Sequence, residues 1–289
     1  MRIAIHAHVF YPELWPELFG CITNFIQVCG RESVFAVVTC PEGAREDVVR
    51  MGLPACEHRV VTVPNRGYDI GPFVFEFLNG IELSNFDLVV KLHTKRDTSP
   101  MWINYRPFQG SEWRKALLSF CLTEAAARRT VRAFSKWPKQ GMVAACRVIN
   151  FGSWDCRPFA RQVNDRMTAE HGLRASHLVM VAGTMFAVRA SALSWLQHKY
   201  AEGDFLLVDK DMAHKDYGLS GWLELMLPQS VDAQGLVVSE GALLPRLAVF
   251  GYWLQSVAYG LMRTCSSMLR RLVGPQTVHK MVMRIQARG

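Results

Sequence analysis

VPNRGYDIGPF (63–73) gathers an asparagine, an arginine, an aspartate and two glycines into one short stretch. Gly67 permits positive φ, so the chain there can turn tightly against a ligand. Gly71 stands where a helix would start, and free backbone N–H groups at such a start favour an anion. Asn65 and Asp69 can bond their own turn or the hydroxyls of a ligand. The planar fork of Arg66 suits a diphosphate. The plain alternative is a capped strand-to-helix turn with a surface arginine.

KLHTKRDTS (91–99) places Lys91, His93 and Lys95 on alternate positions, so they share one face if the segment is extended. Lys91 falls inside an apolar run, where a charge is costly unless it is paired or faces a cleft. Phosphate binding or a proton relay would need such a cationic strand end; solvated lysines at a sheet edge are the alternative. VAGTMFAVRASAL (181–193) carries Gly183 and Thr184 at a turn, which again allows close approach of backbone to ligand. In GWLELML (221–227), Glu224 is flanked by Leu223 and Leu225. Apolar surroundings raise a carboxyl pKa and suit it to general-base work. An arginine partner or an exposed helix face would explain it equally. His6 and His8 point to one face of a first strand and are counted as donor-side binding residues. A third metal ligand is not evident beside them, so no metal residue is assigned.

Positioning these groups requires a regular frame, and the chain supplies one. IAIHAHV (3–9), SVFAVVTC (33–40), HRVVTVP (58–64) and FDLVVKLHT (86–94) read as strands, the second a continuous apolar run of the kind buried on both faces. Helices are expected from Pro12 to about Cys29, over PEGAREDVVRMG (41–52), over 71–80 and near 111–135, with a further strand at 141–149. HLVMVAGTMFAVRASAL (177–193) reads as strand, glycine turn, strand and helix start, and 216–227 as a short helix. Strands alternating with helices predict an α/β fold with a mostly parallel, Rossmann-like sheet. Ligands of such sheets bind at the carboxyl ends of the strands, where these polar segments fall.

The chain has 289 residues, half of them apolar and 20% charged, enough for a substantial core and opposite to a disordered composition. Its net charge of +8 is uneven. Beyond Glu240 come Arg246, Arg263, Arg270, Arg271, Lys280, Arg284 and Arg288, with no acidic residue. Residues 1–245 therefore carry 26 positive and 25 negative side chains. A near-neutral body argues against a protein that coats nucleic acid. We divide the chain into an α/β domain, 1–245, and a basic amphipathic helical tail, 246–289, suited to an anionic membrane surface. The longest uncharged stretch, 247–262, is shorter than the roughly 20 residues needed to span a bilayer. The eight cysteines include no C-x-x-C pair, and MRIAIHAHVFYP has no signal-peptide pattern, so a reducing cytoplasmic setting is expected, peripheral at the inner face of the membrane.

In their order, IHAHVFYPELW, VPNRGYDIGPF, KLHTK, SEWRKALL and VAGTMFAVR resemble the rhamnan synthesis protein F family, over about residues 3–227. That resemblance implies a bacterial glycosyltransferase of cell-surface polysaccharide assembly. A late segment of that family reads like H-A-x-E-R; here Glu224 matches, while Gly221 and Leu225 stand in the histidine and arginine places. A looser similarity is to GT-A transferases, which carry an N-x-G turn after the third strand, a D-x-D metal motif after the fourth and a later G-x-x-F-x-x-R strand. Asn65 to Gly67 fit the first, and Gly183, Phe186 and Arg189 fit the last. His93-Thr94-Lys95 occupies the D-x-D place. By that analogy Lys91, Lys95 and Arg114 replace the metal that neutralises a diphosphate.

The resulting expectation is a transferase moving a hexose or deoxyhexose, such as L-rhamnose, from a nucleotide-sugar donor to a lipid-linked polysaccharide or O-antigen acceptor. Asn65 to Gly71 would hold the donor, and Lys91, His93 and Lys95 would stabilise the leaving group; of the two candidate bases, Glu224 and Asp69, Glu224 is favoured and Asp69 is given to donor binding. No cofactor is implied beyond the donor substrate, and the residues leave a divalent metal open. A non-catalytic carbohydrate-binding or scaffold subunit is the alternative.

Overall fold

The computed structural model describes residues 1–103, 106–145, 149–151, 157–176, 179–208 and 218–240. The tail at 246–289 and its boundary at 245 lie outside them.

The first half builds as its patterning predicts. Strand β1 (Ile3–His8) leads through a Pro12–Leu14 turn into helix α1 (Trp15–Cys29). Strand β2 (Val34–Cys40), helix α2 (Glu42–Arg50) and strand β3 (Glu57–Thr62) follow. Helix α3 begins at Ile70–Pro72 and continues as a π-helical run over Phe73–Leu78. Strand β4 (Leu88–His93) is buried along its whole length, as is β1. Full burial means both faces of the central sheet are covered.

Beyond β4 the chain departs from the expected course. A hairpin of β5 (Thr98–Ile103) and β6 (Arg106–Gly110) precedes helix α4 (Ser111–Leu118). The single helix expected near 111–135 is two. Thr123 ends the linking turn and caps α5 (Glu124–Lys136), its hydroxyl accepting from Ala126 N at 3.2 Å. The strand expected at 141–149 is also divided, into β7 (Gln140–Ala144) and β8 (Ile149–Phe151). Helix α6 (Arg157–His171), β9 (Val179–Val181) and β10 (Phe186–Arg189) come next. Helix α7 (Gly218–Ala233) runs past Pro228, where a stop at 227 is expected, because Met226 to Val231 are all buried and tertiary packing outweighs the lost backbone bond. Strand β11 (Val237–Ser239) closes the described chain.

Seven strands form one sheet in the order β3-β2-β1-β4-β10-β7-β11. β1, β2, β3 and β4 run parallel, and β11 is parallel to β7. β10 is antiparallel to both its neighbours. The fold is therefore α/β with a mostly parallel, mixed sheet flanked by helices. The antiparallel strand matters for the site. Because β10 enters where β4 leaves, with Phe186 opposite Lys91, the turn just before β10 lies at the carboxyl end of β4.

Candidate functional site

Alternation along β1 turns His6 and His8 to one face. α3 covers that face, with Phe73 and Phe77 ring centroids 5.6 and 5.2 Å from His6. In β4 the register sets Lys91 beside His6 and His93 beside His8. The polar residues therefore form a patch near the carboxyl ends of two adjacent strands.

Lys91 is fully buried, and all three of its protons have acceptors inside the protein. It pairs with Asp69 Oδ2 and donates to Thr184 O at 3.2 Å and Thr184 Oγ1 at 3.1 Å. The Thr184 hydroxyl donates to Asp69 Oδ2 at 2.7 Å. His93 Nε2 lies 2.8 Å from Gly183 O, so that nitrogen bears the proton, and Asp69 Oδ2 is 3.6 Å away. One carboxylate oxygen thus ties α3 to β4 and to the turn before β10. Gly183 and Thr184 have φ of +76° and +50°. Positive φ is costly for a β-branched residue. Here the bonds from Lys91 to the Thr184 carbonyl and hydroxyl hold it in place.

Electrostatics follow from this packing. Burial alone would raise the Asp69 pKa; His93, Lys91 and the bonds from Lys91 and Thr184 pull it well below the usual carboxylate range. Burial lowers Lys91, and Asp69 opposes the shift. Burial also takes His6 well down, His8 to about 3 and His93 to about 4, so all three imidazoles are neutral at ordinary pH. Glu224, on α7, is raised by burial and then by Asp69, against Lys95, the Gly183 N–H and Lys91. The half-buried Glu224 carboxylate therefore faces the same cluster.

The structure brings together Asp69, Lys91, His93, Gly183, Thr184 and Glu224, with Lys95 at the rim. Among the described residues the Lys95 ammonium makes no hydrogen bond or ion pair, and Asp69 Oδ1 has no partner. The Asp69 side chain keeps 21% of its surface exposed.

Other predicted residues are spent elsewhere. Asn65 donates to Val208 O at 2.9 Å, Arg66 to Phe205 O at 3.0 Å, and Gly67 N to Leu206 O at 3.0 Å. Arg66 also lies 3.5 Å from Glu202. The Asn-Arg-Gly turn is thus a clasp on the 205–208 segment. Gly67, with φ of +68°, is needed because a Cβ there would lie 2.5 Å from Phe205. Gly71 does not offer the free N–H expected at a helix start, since it donates to Gly67 O at 2.9 Å. Its lack of a Cβ is a packing demand: a Cβ would sit 1.9 Å from Arg66 O. Arg114 grips both oxygens of Glu17, at 2.7 and 2.9 Å, pairs with Asp97 and donates to Lys95 O at 3.2 Å. It pins the loop that carries Lys95.

Two threonines were given no role in the sequence reading. Thr94 Oγ1 accepts from Phe10 N at 2.9 Å and Tyr11 N at 3.0 Å, which joins the exits of β1 and β4. Thr39 lies between His6 and His8. A hydroxyl in an otherwise apolar strand was the available signal for Thr39.

The model of the family described as rhamnan synthesis protein F matches residues 1–213. The chain belongs to this family. No curated protein matches it. Membership places the chain in polysaccharide synthesis. The matched span includes Asp69, Lys91, His93, Lys95, Gly183 and Thr184 but ends before α7, so the family match does not reach Glu224, short of the 227 expected from resemblance. Among the described residues no group of three or more His, Cys, Asp or Glu is arranged to hold a metal ion, and no helix is long and apolar enough to cross a membrane.

Proposed function

We propose that the chain is a glycosyltransferase that moves a hexose or deoxyhexose from a nucleotide-sugar donor to a lipid-linked polysaccharide acceptor. The observation that carries this reading is the cluster at the ends of β1 and β4. There an ionised carboxylate, one of whose oxygens has no partner among the described residues, and an ammonium likewise without one meet a carboxyl of raised pKa. Family membership in polysaccharide synthesis supports the substrate class.

Each group has a distinct task. Asp69 Oδ1 accepts hydrogen bonds from donor hydroxyls, while Oδ2 is fixed by Lys91 and Thr184. Lys95 lies against the diphosphate and balances the charge that grows there as the glycosidic C–O bond breaks. Glu224 takes the proton from the acceptor hydroxyl as its oxygen bonds to the anomeric carbon. Lys91 and His93 hold Asp69 and the 183–184 turn in position. The internal acceptors that consume their donors leave the leaving group to Lys95.

The test is donor binding followed by transfer. A panel of nucleotide sugars, including a deoxyhexose donor, is screened by thermal shift with Mg²⁺, with Mn²⁺ and with chelator. The binding donor is then offered with a lipid-linked acceptor. Lys95→Ala and Glu224→Ala should each lower transfer by about 10²-fold or more, with far-UV spectrum and melting cooperativity kept. Full activity in both variants would sink the assignment. A scaffold subunit is the second reading, favoured by a family match that stops short of Glu224; any donor-dependent transfer or donor hydrolysis removes it.

A further inference from the structure

Beside the Asp69 cluster lies a second polar array. The register of β1 and β2 pairs His8 with Thr39. Thr39 Oγ1 is 2.9 Å from His6 Nε2 and 3.0 Å from His8 Nδ1. All three residues are buried, with exposures of 0%, 0% and 3% for His6, Thr39 and His8.

One hydroxyl here serves two neutral imidazoles. It has one proton to give and two lone pairs to receive with, and among the described residues Thr39 Oγ1 has no third partner to take its proton, so one imidazole donates to it and the other accepts from it. Only two arrangements satisfy this. In the first, His8 Nδ1–H donates to Thr39 and Thr39 donates to His6 Nε2. His6 then carries its own proton on Nδ1. That atom is sealed from solvent and has no partner among the described residues. Phe73 and Phe77 are tilted at 41° and 34° to the His6 ring, so neither meets it edge to face. An orphaned buried N–H is rare in folded proteins. In the second arrangement His6 Nε2–H donates to Thr39, and Thr39 donates to His8 Nδ1. The sealed His6 Nδ1 is then a bare lone pair, the less costly orphan, and His8 carries its proton on Nε2.

Among the described residues His8 Nε2 makes no hydrogen bond, and the residue keeps 3% of its surface exposed. His8 ends β1 beside His93, within electrostatic reach of Asp69. His8 therefore stands at the carboxyl end of β1, where ligands of such sheets bind.

We propose that Thr39 is a positioning residue that fixes His8 as an Nε2–H donor at the strand end, where it hydrogen-bonds an oxygen of the nucleotide-sugar donor. The ligand half of this inference rests on the transferase reading; the tautomer half does not. With Nδ1 engaged and Nε2 protonated, His8 serves as a donor and is not the base.

The test begins with the ¹⁵N spectrum of the histidine rings in the free, full-length protein. His8 is expected as the Nε2–H tautomer, and an Nδ1–H tautomer overturns the proposal. Thr39→Ser keeps the hydroxyl and should keep both the tautomer and the donor KM. Thr39→Val keeps the shape and loses the hydroxyl. It should give mixed tautomers at His8 and raise donor KM by about five- to tenfold, with kcat changed less. If Thr39→Val matches Thr39→Ser in KM and spectrum, the positioning role is overturned. Should Thr39→Val fail to fold, the wild-type spectrum decides the tautomer, and titration with the nucleotide sugar identified by thermal shift decides the ligand. A donor that supports turnover yet leaves the His8 Nε2 resonance unmoved overturns the ligand half alone. Absence of turnover with every donor overturns the transferase reading and the ligand half, while the tautomer stands or falls on its spectrum.

Discussion

The Lys91 ammonium has no exposure to solvent, and its partners join α3, β4 and the turn before β10. Desolvating an ion costs several kcal/mol, which good geometry and saturated hydrogen bonding can offset. Both conditions hold here, through Asp69 and Thr184. The neighbouring histidines impose a different constraint, because burial keeps them uncharged. In the unfolded chain an imidazole takes up a proton as pH falls below about 6.5. Folded His8 resists until about 3 and folded His93 until about 4. In that window the unfolded state binds more protons, so stability rises with pH and is lost as pH falls. The slope approaches about 1.4 kcal/mol per pH unit for each such histidine. Asp69 adds to the loss only at still lower pH, because its folded pKa is depressed. Urea unfolding from pH 7 to pH 4.5 should show the midpoint falling steadily. His8→Asn should flatten the slope by about one proton. A pH-independent midpoint would contradict burial of neutral imidazoles.

Among elements, the turn from β3 into α3 shows how tightly the frame is made. Gly71 presses its Cα side against the carbonyl of Arg66, and a methyl group there has 1.9 Å of room. The obstacle is backbone, so rotamer changes cannot relieve it. Gly71→Ala should cost about 2–3 kcal/mol or more. Gly20, inside α1, has no atom within 4 Å of an added Cβ, and Gly20→Ala should instead stabilise by up to about 1 kcal/mol. Chemical denaturation of the two variants checks both signs. The same turn shows what sequence could and could not reveal. Its glycines were visible, but the reason for them, the 205–208 segment and the Arg66 carbonyl, lies far along the chain or in packing. The strands β1, β2 and β4 were legible as strands, and β2 as an apolar run of the kind buried on both faces. Helix α6 was not, because its described buried positions are only Val163 and Met167, a narrow stripe on a polar helix. The antiparallel sense of β10 has no local signature, since four residues of Phe-Ala-Val-Arg pair equally well either way. The partners of Lys91 were beyond reach for the same reason: Asp69 and Thr184 are 22 and 93 residues away. A paired or cleft-facing lysine could be expected, but its partner could not be named.

At the scale of the whole molecule, charge divides the chain in two. The first 245 residues are nearly balanced, whereas the segment after Glu240 has seven basic side chains and no acidic one. On the function proposed above, the lipid-linked acceptor is presented at a membrane surface, and a transferase gains from being held there. Each Lys or Arg near an anionic leaflet contributes about 1 kcal/mol, and the attraction fades within a Debye length. Aromatic and aliphatic residues such as Trp253, Leu254 and Tyr259 lie between the basic positions, which adds an apolar contribution that salt does not screen. The two components make separable predictions. In sedimentation with vesicles, the full chain should bind anionic lipid more strongly than neutral lipid, and added salt should weaken the anionic preference without abolishing binding. Deleting 246–289 removes seven positive charges and leaves a body of net +1, so both components should disappear together. Transfer to a soluble acceptor analogue should survive that deletion, while transfer to vesicle-borne acceptor should fall. Undiminished sedimentation of the truncated chain with anionic vesicles would move the membrane contact to the α/β body. The exposed Arg128, Arg129 and Arg132 on α5 would then be the residues to replace.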